Sequence, residues 1–389
     1  MKRSRFSRRA KQTPDTEQLV RLAENLSLSG SQLEDGFWES RLATLVNRLL
    51  ADGDEASLNG ALDQLYSGGG RAYDELADMI ESSSEIRHIE TTPQDVLMFA
   101  APLLAWSRFT IPAGPISPEA LAGLRAQLHG HVLAKDAKLG LANVLFSPDQ
   151  LPQSYCETAQ LAEKLAKSAL HERDHKIDVA QLPETVNFLS DTRYVIGAIA
   201  APRGTALFRW QEEDGTRTEA LKQWQLQGSE SLRPLLPACA FELLLPQAYH
   251  AAAREADRAS RPYSLRAAVA FLQTTLNLAV TDLRAIVAPF VDRQVEEFRI
   301  GFTTRESADV MHGVVWPLLD GEDDGSDIAG QIESVLREAG VREVIVLDHQ
   351  LPLEYCDDCG APLYPNPEGE PVHAELPEEQ AESAPRHLH

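Results

Sequence analysis

One short motif occurs three times in the chain and limits how the chain can fold. Each copy reads Leu-Pro-x-x-Tyr followed by Cys or His, and each directly follows an apolar run with strand character. Tyrosine is scarce, with eight in 389 residues, so three at one offset indicate an internal repeat. Proline cannot donate to a strand ladder but suits a first helical turn, which predicts a strand-to-helix junction at each copy. The copies are Leu151–Cys156, Leu245–His250 and Leu351–Cys356.

The order of apolar segments around these motifs predicts an α+β fold. Apolar stripes at helical spacing predict an N-terminal helical bundle over residues 17–92. Three degenerate β-β-α-β repeats are then expected at 93–190, 191–280 and 281–366, each closed by its Leu-Pro-x-x-Tyr junction. Within the third repeat, helices are predicted near residues 308–319 and 328–339.

Charge is distributed unevenly along the chain. The net charge is −23, yet the first fourteen residues carry six basic side chains and no acid. Residues 1–16 are therefore predicted to be a disordered basic arm, and residues 367–389 an acidic, disordered tail. The chain beyond the first fourteen residues carries −29 and would repel polyanions, which argues against a nucleic-acid groove there. The cations at residues 2–11 could still attract RNA or DNA in a salt-sensitive way.

Compartment and redox state follow from two further observations. The longest apolar run, residues 96–106, is too short to span a membrane, and no apolar segment of a secretory signal follows the basic start. The four cysteines are too few for a disulfide framework in a chain of this length. We therefore expect a cytoplasmic protein with reduced thiols and no membrane contact.

The third motif continues into a metal-binding pattern. Cys356 and Cys359 are two residues apart with Gly360 directly after them, which suits a zinc knuckle whose amide N–H groups point at the sulfurs. This is half of a four-ligand site, and His373 is the nearest further donor along the tail. His349 lies upstream, and His387 and His389 lie near the end of the chain. The alternative is a reduced surface knuckle without metal, or one completed across a dimer.

The repeat adds a sharper hypothesis for the missing ligands. Cys156, His250 and Cys356 occupy the same position in the three motif copies. If the repeats surround a common axis, these three residues and Cys359 would form a Cys₃His zinc site.

A second metal pattern lies at residues 171–175. His171-Glu172-Arg-Asp-His175 matches H-E-x-x-H, in which two histidines one helical turn apart hold zinc and the glutamate acts as general base. The five residues resemble the zincin metalloproteases, although that pattern has uncharged residues before the second histidine. Because the segment alternates in charge, a solvated helix end is the favoured interpretation.

Several segments resemble one known family. They are Glu17-Gln-Leu-Val-Arg-Leu-Ala, Tyr73-Asp-Glu-Leu-Ala-Asp, the stretch from Leu351 through Cys356-Asp-Asp-Cys359-Gly to Glu370, and His373-Ala-Glu-Leu-Pro-Glu-Glu379. The family is proteobacterial and is labelled only as a domain of unknown function. The resemblance implies a bacterial cytosolic protein and a segment through Glu379 that is more than an unstructured tail. It implies no activity, cofactor or catalytic residue.

Three functions remain open from the sequence. The favoured one is a non-catalytic binding or regulatory protein with an unknown protein partner and a structural zinc at Cys356 and Cys359. The second is a zinc hydrolase that uses His171, Glu172 and His175. The third is a factor bound to nucleic acid or to the ribosome through the basic arm.

Overall fold

A computed structural model describes residues 13–68, 70–213, 215–319, 321–322 and 325–376, and the fold is mixed α+β as predicted. Four helices come first and share an apolar core, to which Cys156 and Ala159 also contribute. The arm predicted as disordered lies largely outside the described residues, but its last part is helical because Thr13 caps a helix that begins at Pro14. The helices are α1 (Pro14–Ser27), α2 (Gln32–Asp52), α3 (Glu55–Gly68) and α4 (Arg71–Glu85).

The first sheet follows directly from α4 and contains the strands of the first two predicted repeats. Its strand order is β1-β2-β5-β4-β3, and β6 and β7 also pair with β2. The last strands of each predicted repeat therefore lie beside the first strand of the other. The strands are β1 (Ile86–Ile89), β2 (Gln94–Trp106), β3 (Gly114–Pro115), β4 (Lys138–Phe146), β5 (Ser190–Pro202), β6 (Ala240–Leu243) and β7 (Gln247–Ala248).

Helices cover both faces of the first sheet. Leu97, Phe99 and Leu103 of β2 face one apolar cluster, and Val96 and Met98 face another. A strand that is covered on both faces reads as a continuous apolar run, which explains the composition of residues 96–105. The helices in this part are α5 (Pro118–His131), α6 (Tyr155–Leu170), α7 (Arg217–Gln223), α8 (Ser229–Leu232) and α9 (Tyr249–Leu276).

The second sheet lies farther along the chain and shares helix α9 with the first. The start of α9, including Tyr249 and Ala252, packs in a core with the first sheet, whereas Leu265 and Phe271 pack in a core with the second. The strand order is β10-β9-β8-β11, and β12 also pairs with β8. The elements are β8 (Leu283–Val291), β9 (Val295–Thr304), β10 (His312–Pro317), α10 (Ile328–Glu338), β11 (Glu343–Val346) and β12 (Leu351–Pro352).

The three equivalent repeats are not confirmed. Two motif copies are strand-to-helix junctions, because α6 begins at Tyr155 and α9 at Tyr249. After the third copy the chain makes turns instead of a helix, and Tyr355 forms a bridge with Pro362. The helix predicted near 308–319 is wrong, since β10 occupies this segment with the alternating burial of a strand.

Part of the predicted acidic tail is folded. Strands β13 (Tyr364–Pro365) and β14 (Pro371–Val372) pair antiparallel, and Ala374 is buried. The amide of Glu375 donates to the carbonyl oxygen of Val310, which fixes the segment beside β10. The prediction of disorder is therefore wrong for residues 371–376, and residues 377–389 lie outside the described residues.

Candidate metal centre

The loop after the third motif has the backbone geometry of a metal knuckle. We call residues 354–363 the knuckle loop. The amide of Cys356 donates to the oxygen of Ala361 at 2.7 Å, and the amide of Gly360 donates to the oxygen of Cys356 at 2.8 Å. Gly360 has a φ of 72°, a left-handed conformation that glycine adopts without steric cost. The residue types at Cys356, Cys359 and Gly360 therefore close the tight turn that their spacing predicts.

Backbone amides in this turn point at the first sulfur. Hydrogen bonds from the amides of Cys359 and Asp358, in that order of strength, lower the pKa of the Cys356 thiol. A thiol whose anion is stabilised in this way is a better metal ligand, because metals bind the thiolate. The backbone of the knuckle loop therefore favours the thiolate form of Cys356, which is the form that binds metal.

A third donor comes from the segment after β14. The two cysteine sulfurs and a ring nitrogen of His373 lie within 4.8 Å of one another, and Sγ of Cys359 is 3.2 Å from Nε2 of His373. Ligands at zinc distances of about 2.0–2.3 Å stand roughly 3.3–3.8 Å apart in a tetrahedron, so the three donors nearly match this geometry. Among the described residues, this Cys₂His group is the one set of three such side chains close enough to share a metal ion.

The imidazole of His373 has a carboxylate on its far side. Nδ1 of His373 lies 3.6 Å from Oε1 of Glu375, while Nε2 faces the sulfur of Cys359. Metal-binding histidines commonly direct the second ring nitrogen at a carboxylate, which fixes the tautomer and makes the ring more basic. Glu375 is placed to have this role.

A buried arginine anchors both ends of the knuckle loop. Nη1 of Arg299 on β9 donates to the oxygen of Glu354 at 2.6 Å and to the oxygen of Leu363 at 2.8 Å. Its guanidinium lies 4.9 Å from the ring centre of Tyr355. Arg299 is fully buried, and its charge is balanced by Glu297 at 2.8 Å. A single side chain thus sets the span of the loop that carries both cysteines.

Two glycines leave room for β13 to pack closely on the second sheet. Gly301 and Gly313 are paired across β9 and β10. A Cβ atom on Gly301 would lie 2.3 Å from the oxygen of Pro365, and a Cβ atom on Gly313 would lie 2.3 Å from the ring of Tyr364. Any larger side chain at either position would push β13 off the sheet.

A small cavity borders one of the three donors, His373, whereas Cys359 is exposed to solvent. A cavity of about 10 Å³ is lined in part by His373, Pro362 and Tyr364. This volume holds about one water molecule. The arrangement can bind a metal ion, but this cavity is too small for an organic substrate beside it.

Cys156 and His250 lie away from this centre, so the structure does not bring the predicted Cys₃His set together. Both residues stand at helix starts that glutamates of the four-helix bundle cap. Oε2 of Glu55 accepts from the amide of Cys156, and Oε2 of Glu85 accepts from the amide of His250, each at 2.9 Å. Burial, with a smaller contribution from Glu55, raises the pKa of Cys156 to about 12, which makes this thiol a poor metal ligand.

The zincin alternative needs His171, Glu172 and His175 on one helix, and the structure does not place them so. Helix α6 ends at Leu170, and Glu172 has a φ of 53°. The amide of His175 donates to the oxygen of Leu141 at 2.7 Å, so His175 extends the edge of β4. The two histidines therefore do not share a helix face, which is the premise of a zincin site.

The residues that sequence reasoning missed are those that support the centre. Arg299 and Glu297 are two positions apart on β9, so the pleat places both on one face. In the sequence, opposite charges two positions apart within an apolar strand indicate a buried ion pair. Their contact with the knuckle loop depends on tertiary packing and had no local signal.

Within the described ranges, no helix combines the length and the apolar character that crossing a bilayer requires. Neither the curated proteins nor the solved structures contain a match to this chain. A family model described as protein of unknown function (DUF2863) matches residues 4–387. The chain therefore belongs to the DUF2863 family.

Proposed function

We propose that this chain is a non-catalytic binding or regulatory protein that holds a zinc ion through Cys356, Cys359 and His373. The observation that carries the proposal is the convergence of these three donors within 4.8 Å. Two sulfurs and an imidazole are ligands that zinc prefers, whereas magnesium and calcium prefer oxygen. The amides directed at Cys356 favour its thiolate, which supports the same choice.

A structural role for the zinc agrees with the surroundings of the three donors. The metal would join the knuckle loop to the segment that comes after β14. The neighbouring cavity of about 10 Å³ has no room for a substrate. Zinc would therefore hold residues 354–376 in one conformation, and the surface that they form would bind a protein partner.

The surface formed by residues 354–376 is acidic. Residues 354–376 contain six acidic side chains and neither Lys nor Arg. A partner that docks there would need basic side chains opposite these carboxylates. The predicted nucleic-acid contact through residues 2–11 stays a prediction, because this arm lies outside the described residues.

Metal analysis of the purified protein tests the zinc proposal. We expect one zinc per chain, loss of that zinc in Cys359→Ser, and retention in Cys239→Ser, whose thiol lies near Ser107 and outside the centre. Removal of zinc by a chelator should speed amide hydrogen exchange in residues 354–376 and leave the four-helix bundle protected. Protein without zinc, or zinc retained by Cys359→Ser, would contradict the proposal.

A further inference from the structure

A larger cavity lies between the first sheet and the middle of helix α9. Its volume is about 210 Å³, and residues of β2, β5 and α9 line it. On α9 these residues fall within 257–264. Ala256, directly before this stretch, packs in a core with the first sheet, and Leu265, directly after it, packs in a core with the second. The cavity therefore lies where α9 passes from one core to the other, and small-molecule sites are common at such junctions.

Most of the described residues that line this cavity carry a hydroxyl or a carboxyl group. Strand β5 and helix α9 both contribute hydroxyl groups, and Oγ of Ser190 donates to Oγ of Ser264 at 2.9 Å. A wall with this composition suits a polar occupant, because an apolar one would leave these groups without partners. The hydroxyl-bearing residues are Ser190, Thr192, Tyr194, Ser260, Tyr263 and Ser264.

The charge of the wall is negative. The cavity is lined by the carboxyl groups of Asp191 and Asp257, and its described lining residues include no Lys, Arg or His. Burial raises the pKa of Tyr194, and the charges of Asp257 and Asp191 add to the rise, so both carboxylates act on the same part of the cavity. Asp257 is exposed, which leaves the cavity open to solvent on that side.

A buried arginine offsets only part of this charge. The guanidinium of Arg193 donates to Asp191 and also to the backbone oxygens of Ile111 and Pro112. Burial nevertheless raises the pKa of Asp191, although Arg193 opposes the rise. A second positive charge beside this carboxylate would therefore be favourable.

We propose that this cavity binds a small organic cation that carries a primary ammonium group and a hydroxyl group. The ammonium would donate to Asp191 and face Asp257, and the hydroxyl would pair with the serine and threonine hydroxyls of the wall. Drug-sized ligands occupy pockets of roughly 300–1,000 Å³, so the occupant is smaller than a nucleotide or a peptide. The site adds a small-molecule ligand to the proposed binding or regulatory role, and it does not depend on zinc.

Titration calorimetry of the full chain with three probes of one two-carbon skeleton tests the proposal. At neutral pH ethanolamine is positive, ethylene glycol is neutral and glycolate is negative. We expect one ethanolamine to bind per chain in a saturable way. The other two probes should bind at least about 10-fold more weakly, because neither can form the charge-assisted hydrogen bond to Asp191.

Substitutions locate the site. We expect Asp257→Asn to weaken ethanolamine binding by about 3–5-fold, as for an exposed ion pair, and Asp191→Asn by at least about 10-fold. Glu255→Gln is the matched control, since it removes the same charge from α9 at a side chain that pairs with Arg258. If Asp191→Asn fails to fold because buried Arg193 loses its carboxylate, Asp257→Asn decides the question.

Three results would overturn the proposal. The first is an unaltered protein that binds no ethanolamine. The second is ethylene glycol binding as tightly as ethanolamine, which would show that charge is not recognised. The third is equal weakening in Glu255→Gln and Asp257→Asn, which would indicate diffuse attraction to an acidic surface. None of these results bears on zinc content, so the proposed function is tested separately.

Discussion

At the scale of single residues, the guanidinium of Arg299 joins the knuckle loop to β9 through the carbonyl oxygens of Glu354 and Leu363. The spacing of Cys356, Cys359 and Gly360 was enough to predict the turn, because its determinants are local. His373 could be named only as the nearest further donor. Its convergence with the cysteines depends on how β13 and β14 pack, which no local pattern in the sequence encodes.

We expect Arg299→Lys to lower zinc affinity by about 10–100-fold, as loss of other supporting contacts at metal sites does. Arg299 uses Nε for Glu297 and Nη1 for the two carbonyl groups, whereas lysine keeps the positive charge but has a single nitrogen for all three partners. Competition with a chelator measures the affinity. Arg284→Lys is the matched control, because Arg284 lies on the adjacent strand and pairs with Glu343 without contacting the knuckle loop. Equal affinity in the two variants would show that Arg299 does not position the ligands.

At the scale of elements, the motif copies differ in the segment that comes after the tyrosine. Helices α6 and α9 begin at Tyr155 and Tyr249, as the proline in each copy predicts. In the third copy, Gly360 and Pro362 prevent a helix, and the loop returns to pair with Tyr355. The error at β10 was avoidable, because Val314, Val315 and Trp316 favour a strand.

The paired glycines of β9 and β10 give a prediction at this scale. We expect Gly301→Ala to destabilise the protein by about 1–3 kcal/mol, since its methyl group would overlap the oxygen of Pro365. The same variant should bind zinc more weakly, because β13 must move. Urea denaturation and chelator competition measure the two effects. Gly130→Ala in α5 is the control, as its methyl group would meet no atom within 4 Å. Similar behaviour of the two variants would disprove close docking of β13.

At the scale of the whole molecule, glutamates connect the four-helix bundle to the first sheet by capping α6 and α9. Burial raises the pKa of Glu85 to about 7, with Glu81 adding to the rise and hydrogen bonds from the α9 amides and the charge of Arg254 opposing it. Burial lowers the pKa of His250 to about 4.

A carboxyl with a raised pKa favours folding in its protonated form. Its contribution is therefore present below pH 4.5 and is lost as the pH rises to about 7. The His250 contribution has the opposite sign and is lost as the pH falls from 6.5 to about 4.

We expect Glu85→Gln to remove the Glu85 contribution and keep an oxygen that can accept from the amide of His250. Relative to the unaltered protein, the variant should gain about 3 kcal/mol of unfolding free energy between pH 4.5 and pH 7.5. Chemical denaturation at a series of pH values gives the difference. A difference that does not vary with pH would show that Glu85 titrates normally in the folded protein.

Helix α9 determines whether a fragment that contains only one of the two sheets can fold. Its first half completes the core of one sheet and its second half the core of the other. The boundary predicted at residues 280 and 281 follows the end of this helix, so a fragment from residue 281 would contain the second sheet without the helix that covers it. A fragment that ends at residue 280 would expose Phe271 and Leu272, which are now buried. We therefore expect the two sheets to unfold as one cooperative unit, and we expect neither half of the chain to fold as an autonomous module.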